Sequence, residues 1–289
     1  MRLFCFGFGY AAESLARRLS ARTAALAGTR TSLADQGAAE GAASLGVKLV
    51  AYSGDGPSPQ VRELLADATH VLVSIPPDLE GDPALRHFRA DLANLPDLAW
   101  IGYLSTVGVY GDWQGQWVDE TSPTRPHSER SLRRVLAERT WAQFSRETGR
   151  RVEIFRLAGI YGPGRNVING LKAGIAKRIV KPGQVFNRIH VDDIANVLVA
   201  AIDKDAGHRV YNVSDDEPAP PQDVLAYAAE LLRLPLPPEV PFERAALTPM
   251  AATFWAENKR VSNARIKHDL GVGLTYPTYR EGLRALVAA

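Results

Sequence analysis

Two short stretches of this chain carry residue types that could do chemistry. In SERSLRRVLAE, residues 128–138, Arg130, Arg134 and Glu138 fall four apart and share one face of a helix. Leu132, Val135 and Leu136 form an apolar stripe on another face. In GFGYAA, Gly7, Gly9 and Ala12 fit G-x-G-x-x-A. The first glycine of such a run permits a tight turn, and the second lets backbone N–H groups approach a pyrophosphate at a helix N-terminus. The small third residue lets helix and strand pack closely. Gly28-Thr29-Arg30 follows at the end of the next apolar run, with no acid before Asp35. An acid there would hold the ribose 2′-hydroxyl of NAD, whereas a cation accommodates the 2′-phosphate of NADP. Arg30, with Thr29 as a second donor, favours NADP over NAD. Adjacent hydroxyls, Ser105 and Thr106, close another strand in LSTVGVYGD, residues 104–112. They stand where ligands sit in open α/β sheets, although hydrogen bonding to loop backbone is the plainer use of such residues.

The elements that must position these residues read as alternating strands and helices. RLFCFG (2–7), TAALAGT (23–29), VKLVAY (47–52), THVLVSI (69–75), WIGYLST (100–106) and RVEIFRL (151–157) are apolar runs of strand length. The segments between them are long enough for a helix each, beginning with YAAESLARRL. Strand–helix alternation of this kind means a parallel sheet with helices on both faces. The expected fold is therefore α/β, a doubly wound Rossmann sheet with a smaller C-terminal substrate lobe. After residue 162 the pattern changes. GPGRN is a loop, a helix is expected around 167–177, and QVFNRIHVDDIANVLVAAI supplies a short strand and a helix capped by Asp192 or Asp193. RVYNVSD (209–215) reads as a further strand, PAPPQ and LPLPPEVPF as linkers, and 221–233, 263–270 and 277–287 as helices. The expected division is a sheet domain over 1–162 plus 188–215, and a second lobe over 163–187 plus 216–289.

Bulk composition narrows the function. At 289 residues and 46% hydrophobic, the chain can bury one large core and a smaller one. The 34 basic and 32 acidic residues nearly cancel, and the clustered arginines at 130–139 and 146–151 are interspersed with glutamates. No nucleic-acid footprint results. The single cysteine, Cys5, rules out an internal disulfide, cannot by itself build a zinc site, and sits in an apolar run as a core residue. MRLFCFG enters a strand at once, and no apolar run reaches membrane-spanning length. The expectation is a cytoplasmic protein that binds a small-molecule substrate and no metal, nucleic acid or membrane.

GFGYAA, LSTVGVYGD, FRLAGIYGPGRN, IHVDDIANVLVAAI, YNVSDDEP and the terminal DLG…YPTYREGL, taken in order, resemble the extended short-chain dehydrogenase/reductases. The nearest type is the NAD-dependent epimerase/dehydratase family that includes UDP-galactose 4-epimerase. The resemblance implies that Gly7, Phe8, Gly9, Tyr10 and Ala12, then Thr29, Arg30, Ser74, Pro76 and Leu157, contact the dinucleotide. Ser105 joins them as a neighbour of the catalytic hydroxyl, which aligns on Thr106. It further implies an oxidoreductase or epimerase acting on a small polar, nucleotide-sugar-like substrate, and a homodimer through the Arg-bearing helix.

Departures from the family pattern fall on the helix already singled out. Family members carry Y-x-x-x-K there, followed four residues later by Glu. Aligned on Glu138, the lysine falls on Arg134 and the tyrosine on Arg130, and no Y-x-x-x-K occurs anywhere in the chain. Arg134 can still donate to a nicotinamide ribose. Arg130 stays charged at any accessible pH, so it cannot be a general acid–base, though it could clamp an anion. Either this face looks into the cofactor cleft, or it is an exposed surface laced by Arg134–Glu138 pairs. Tyr110, Tyr161 and His127 are the substitute proton carriers to consider, and Lys181, Arg188, Lys259 and Arg260 the cations that could meet an anionic substrate. Trp255 could stack on a ligand or fill a small core, and His190 precedes the Asp-rich helix as a structural residue. A catalytically inactive NADP-binding sensor or scaffold is the alternative function.

Overall fold

Period-two alternation along the first strand sets up the architecture. In β1 (Arg2–Phe6), Leu3 and Cys5 join one apolar cluster while Phe4 and Phe6 join another. A strand buried on both faces must have helices above and below it. The computed structural model, which describes residues 1–204 and 210–288, supplies them. The first half runs α1 (Tyr10–Leu19), β2 (Ala25–Arg30), α2 (Gln36–Ser44), β3 (Val47–Ala51), α3 (Pro59–Leu65), β4 (His70–Val73), α4 (Pro83–Asn94) and β5 (Trp100–Thr106). After a short β6 (Trp117–Val118) come α5 (Glu129–Thr148) and β7 (Val152–Leu157). Together with β11 (Val210–Val213) these strands form a seven-stranded parallel sheet in the order β3-β2-β1-β4-β5-β7-β11. The order reverses between β1 and β4, and this is where a doubly wound sheet opens a crevice.

Small residues bring one helix layer close. Ala11, Ala12 and Ala16 of α1 are buried with Leu15 and Leu19, and α7 (Val191–Asp203) packs against them through Ile194, Val197 and Leu198. On the opposite face, Val61 and Leu65 of α3, Phe88 and Leu92 of α4, and Trp141 and Phe144 of α5 cover Phe4, Phe6, Val71, Val73 and Tyr103. Cys5 is buried, as its apolar run predicts.

The remaining segments build the second lobe. β8 (Gly159–Tyr161) pairs with β10 (Arg188–His190), and β9 (Arg178–Val180) pairs with β12 (Glu239–Pro241). Helices α6 (Val167–Lys172), α8 (Pro221–Leu232) and α11 (Tyr279–Ala288) enclose a small core of Ile168, Leu171, Val224, Leu225, Ala228, Tyr279 and Leu283. Helix α9 (Pro249–Trp255), β13 (Arg260–Val261, paired with β6) and α10 (Ala264–Leu270) complete the chain.

Three local expectations are corrected. The helix expected over 167–177 ends at Lys172, because Gly174 turns the chain at φ +67° and the amides of Ile175 and Ala176 fold back onto Gly170 O. The segment LPLPPEVPF is more than a linker, since Glu239–Pro241 is an edge strand where proline's missing donor is tolerated. Helix α7 is capped by His190, whose Nδ1 accepts from Asp192 N at 3.2 Å, and not by an aspartate. Asp193 instead accepts from the amides of Thr275 and Tyr276, at 2.7 and 2.9 Å, and so anchors the C-terminal segment. The expected strand at 209–215 begins on a residue outside those described and runs Val210–Val213. No helix among the described residues is long and apolar enough to cross a membrane.

A half-buried histidine and a fully buried one make this fold acid-sensitive. At the start of β4, burial, then the N-terminal amino group and the Arg151 and Arg22 guanidiniums, push the His70 pKa down to about 4. Burial also lowers that of His190. An unfolded imidazole titrates near about 6.5, so the folded chain resists protonation. This stabilisation is fully present above about pH 6.5 and is lost as pH falls towards about 4. The urea midpoint should drop across that window, and His70→Gln should flatten the drop; an equally steep profile in the variant would contradict the assignment.

Candidate functional site

The glycine run lies where the strand order reverses. Gly7 has φ +87°, and a Cβ there would come within 2.7 Å of Ser74 Oγ. Its amide donates to Thr29 Oγ1 at 2.8 Å, and Ser74 Oγ donates to Gly7 O. Thr29 is fully buried, so it braces the turn from beneath, and the expectation that it is a second donor to a phosphate is corrected. Ser74 braces the same turn from β4. Phe8 turns its ring into the core and leaves only its backbone at the turn. Gly9 caps α1 with no side-chain hydrogen bond, and a Cβ on it would meet nothing within 4 Å. The first-turn amides of α1 therefore face open space beside a buried Ala12. Unpaired amides at the positive end of a helix form an anion site.

Around this turn the flanking residues have distinct places. Tyr10 donates to Pro163 O at 2.9 Å, and its hydroxyl pKa is pushed up to about 12 by burial and the nearby Asp192. Arg30 ends β2 half-buried, its Nη2 3.8 Å from Asp35 Oδ2. Pro76 is exposed on the loop after β4, and Leu157 is buried at the end of β7 beside Thr106. Sequence reasoning missed Arg165. It is exposed in the GPGRN loop, and its charge acts on the Tyr10 hydroxyl beside the α1 terminus. A cation in a loop that follows β8 was the available signal.

The charged face of α5 splits three ways. Glu138 is buried and takes a bidentate pair from Arg156 of β7, with Nη2 at 2.7 Å and Nε at 3.2 Å. Ser105 donates to the same carboxylate and is buried, so its hydroxyl points away from the crevice. This corrects its expected place among the cofactor contacts, and it also removes the Arg134–Glu138 pair. Arg134 is half-buried, and its Nη1 donates to Tyr103 Oη and Leu104 O, both at 2.9 Å. Arg130 is exposed and approaches only Met250 Sδ, at 4.0 Å. Thr106 accepts from Gly108 N at 3.1 Å and starts the turn that follows β5.

Of the substitute proton carriers, the two tyrosines are engaged in this geometry. Tyr110 donates to Asn212 Oδ1 at 2.7 Å and accepts from Arg156 Nη1 at 2.9 Å, and burial raises its pKa. Tyr161 lies against the His190 ring, its pKa raised by burial and then by Asp215 and Asp193. His127 is exposed. Tyr103 does lie beside a cation, but it is fully buried, and burial lifts its hydroxyl far above the usual range.

The second-lobe cations are equally occupied. Lys181 donates to Trp255 O at 2.6 Å and Lys259 to Gly111 O at 2.8 Å. Arg188 donates to Phe186 O and Ala219 O at 2.9 and 3.1 Å, and Arg260 donates to Gly115 O. Trp255 fills a small core between Phe186 and Phe242. Arg188 also lines a cavity of about 40 Å³ with Tyr161, Asn166, Val167, Val224, Tyr279 and Leu283, enough for a water or two.

Known proteins share parts of this sequence and its fold. Residues 97–214 match the NAD dependent epimerase/dehydratase family. The chain is 48% identical to a functionally unknown conserved protein from Silicibacter pomeroyi DSS, whose solved structure superposes with a TM-score of 0.90 over 99% of this chain and 98% of that one. It is 28% identical to Protein YeeZ of Escherichia coli (strain K12), over 94% of each chain. The structure of UDP-Glucuronic acid 4-epimerase from Bacillus cereus in complex with NAD shares the fold at 17% identity, with a TM-score of 0.78 over 100% of this chain and 96% of that one. Residues 97–214 of this chain therefore resemble the NAD-dependent epimerase/dehydratase family, and the whole chain shares the fold of solved structures of that type.

Removing one partner of the buried pair should expose its importance. Glu138→Ala leaves the Arg156 guanidinium uncompensated, which costs about 3–5 kcal/mol. Ser105→Ala removes one hydrogen bond to a charged group, worth about 1.5–3 kcal/mol. Urea unfolding of the two variants checks the order, and an equal or reversed effect would refute this account of the α5–β7 contact.

Proposed function

We propose that the protein binds NADP and uses it for hydride transfer, as an oxidoreductase or epimerase, on a small polar substrate. The observation that carries this reading is the uncapped α1 terminus opening on clear space at Gly9, with Arg30 at the end of the neighbouring strand. The residues present fit the group. Gly7 to Ala12 would hold the pyrophosphate, with Arg165 adding charge. Arg30 would hold the 2′-phosphate, and Pro76 and Leu157 would flank the crevice. Arg134, already oriented by Tyr103 and Leu104 O, keeps Nη2 and Nε for the nicotinamide ribose. When bound, the nicotinamide gives or takes a hydride; Thr106 would orient the substrate oxygen. The exposed flank of α5, with Leu132 and Leu136, supports the homodimer the resemblance implies.

One observation favours a second reading, an inactive NADP-binding sensor or scaffold. The position aligned with the family tyrosine is an exposed arginine, and Tyr110 and Tyr161 are buried and engaged. Fluorescence titration separates cofactor choice from chemistry. NADPH should bind more tightly than NADH, and Arg30→Ala should weaken NADPH at least tenfold, about 1.4 kcal/mol, while changing NADH less than twofold. Equal effects would remove the NADP assignment. Turnover of a carbonyl substrate that falls in Thr106→Ala supports the enzyme; tight binding without turnover across carbonyl compounds and nucleotide sugars selects the sensor.

A further inference from the structure

The mouth of the cleft has a chemistry of its own. Arg130 is the second residue of α5, next to Ser131, and a Cβ on Gly108 would meet Ser131 Oγ at 3.3 Å and Thr106 Oγ1 at 3.4 Å. The first turn of α5, which carries Arg130, therefore starts near the strand end that carries Thr106. It makes no ion pair among the described residues, and its approach to Met250 Sδ uses a weak acceptor that satisfies little of a guanidinium. Met250 comes from α9 of the second lobe. Trp255 anchors that helix in a buried aromatic cluster, while Met250 and Phe254, one turn apart, remain 62% and 56% exposed. On the sheet domain, Leu79 is 84% exposed on the loop after β4, at the same carboxyl edge as Thr106. Arg86 pins that loop through a bidentate pair with Asp78, at 2.7 and 2.8 Å.

Resting on the proposed cofactor site, we infer that the substrate is a carbonyl compound with one carboxylate and an apolar body, and not a nucleotide sugar. Arg130 takes the carboxylate, and Met250 and Phe254 of the second lobe cover the apolar part. A single guanidinium matches a carboxylate through two parallel hydrogen bonds. A nucleotide diphosphate needs more positive charge than that, and the four second-lobe cations best placed by sequence donate to backbone carbonyls instead. Exposed Met and Phe side chains beside a cleft gain from covering by an apolar ligand body.

Calorimetry on the full chain saturated with NADPH tests this, with phenylpyruvate, its methyl ester and UDP-glucose as probes. Phenylpyruvate should bind at least tenfold more tightly than its ester or UDP-glucose. Arg130→Ala should reduce that affinity tenfold or more, and Met250→Ser with Phe254→Ser several-fold, with NADPH affinity unchanged in each. The inference is overturned if UDP-glucose binds as tightly as phenylpyruvate, if Arg130→Ala leaves phenylpyruvate binding intact, or if neither probe binds the NADPH-loaded protein. Failure of NADPH itself to bind sinks the cofactor reading, and this inference with it, and is read before any probe is added.

Discussion

The buried pair between Glu138 and Arg156 is the interaction on which the rest of the site depends. It joins the middle of α5 to the sheet through strand β7, so the helix can sit in only one rotation about its axis. That rotation puts Glu138 inside, Arg134 at the boundary and Arg130 outside, although all three share one helical face in sequence. Ser105 and Tyr110 attach to the same pair, and Asn212 and Glu120 extend it to β11 and the loop after β6. A charge pair taken out of water is stabilising only when its remaining donors and acceptors are satisfied. Here the hydroxyls of Ser105 and Tyr110 help meet that condition. The network ends one residue short of Thr106, so the strand end is held by groups that themselves never reach the crevice.

A different constraint shapes the glycine turn. The turn is open because side chains are missing from it, at Gly7 by steric necessity and at Gly9 with open space beside it. What remains must be held from below. Thr29 and Ser74, on the strands flanking β1, supply that support through one accepted and one donated hydrogen bond. Residues that contact the backbone of a binding turn and residues that contact its ligand have the same composition in sequence, small and hydroxylated. Only burial separates them.

This explains which parts were legible beforehand. The sheet was, because strands buried on both faces read as continuous apolar runs and β1, β5 and β7 carry no competing pattern. The turn was legible because its glycines have a steric reason tied to spacing. The α5 face was not. Four-residue spacing says that Arg134 and Glu138 are neighbours, but the choice of Arg156 as partner depends on a strand eighteen positions away that is adjacent only in the fold. The second-lobe cations failed for a similar reason. Lys181, Lys259 and Arg260 each satisfy a backbone carbonyl left open by irregular chain, and no local pattern marks a carbonyl in need of a donor. The cap of α7 was misjudged by residue type alone, since an aspartate is the commoner cap and the pattern held two of them, while His190 proved structural as expected.

The two lobes are also joined through the helix that follows the glycine turn. Tyr10, in the first position of α1, donates to Pro163 in the loop that leads to α6, and Ser14, one turn on, donates to Asp192 at 3.1 Å. Gly162, between these contacts, has no room for a side chain, since a Cβ there would meet Tyr10 Oη at 2.5 Å and Val191 Cγ1 at 2.8 Å. Asp193 then carries the connection to Thr275 and Tyr276. An anion on the α1 amides would therefore act on a helix whose outer surface already holds the start of the second lobe. The lobe that carries Met250 and Phe254 is thus tied to the same helix that would receive the pyrophosphate, and the proposed substrate between them would be positioned against the cofactor by packing and hydrogen bonds that exist before either ligand arrives.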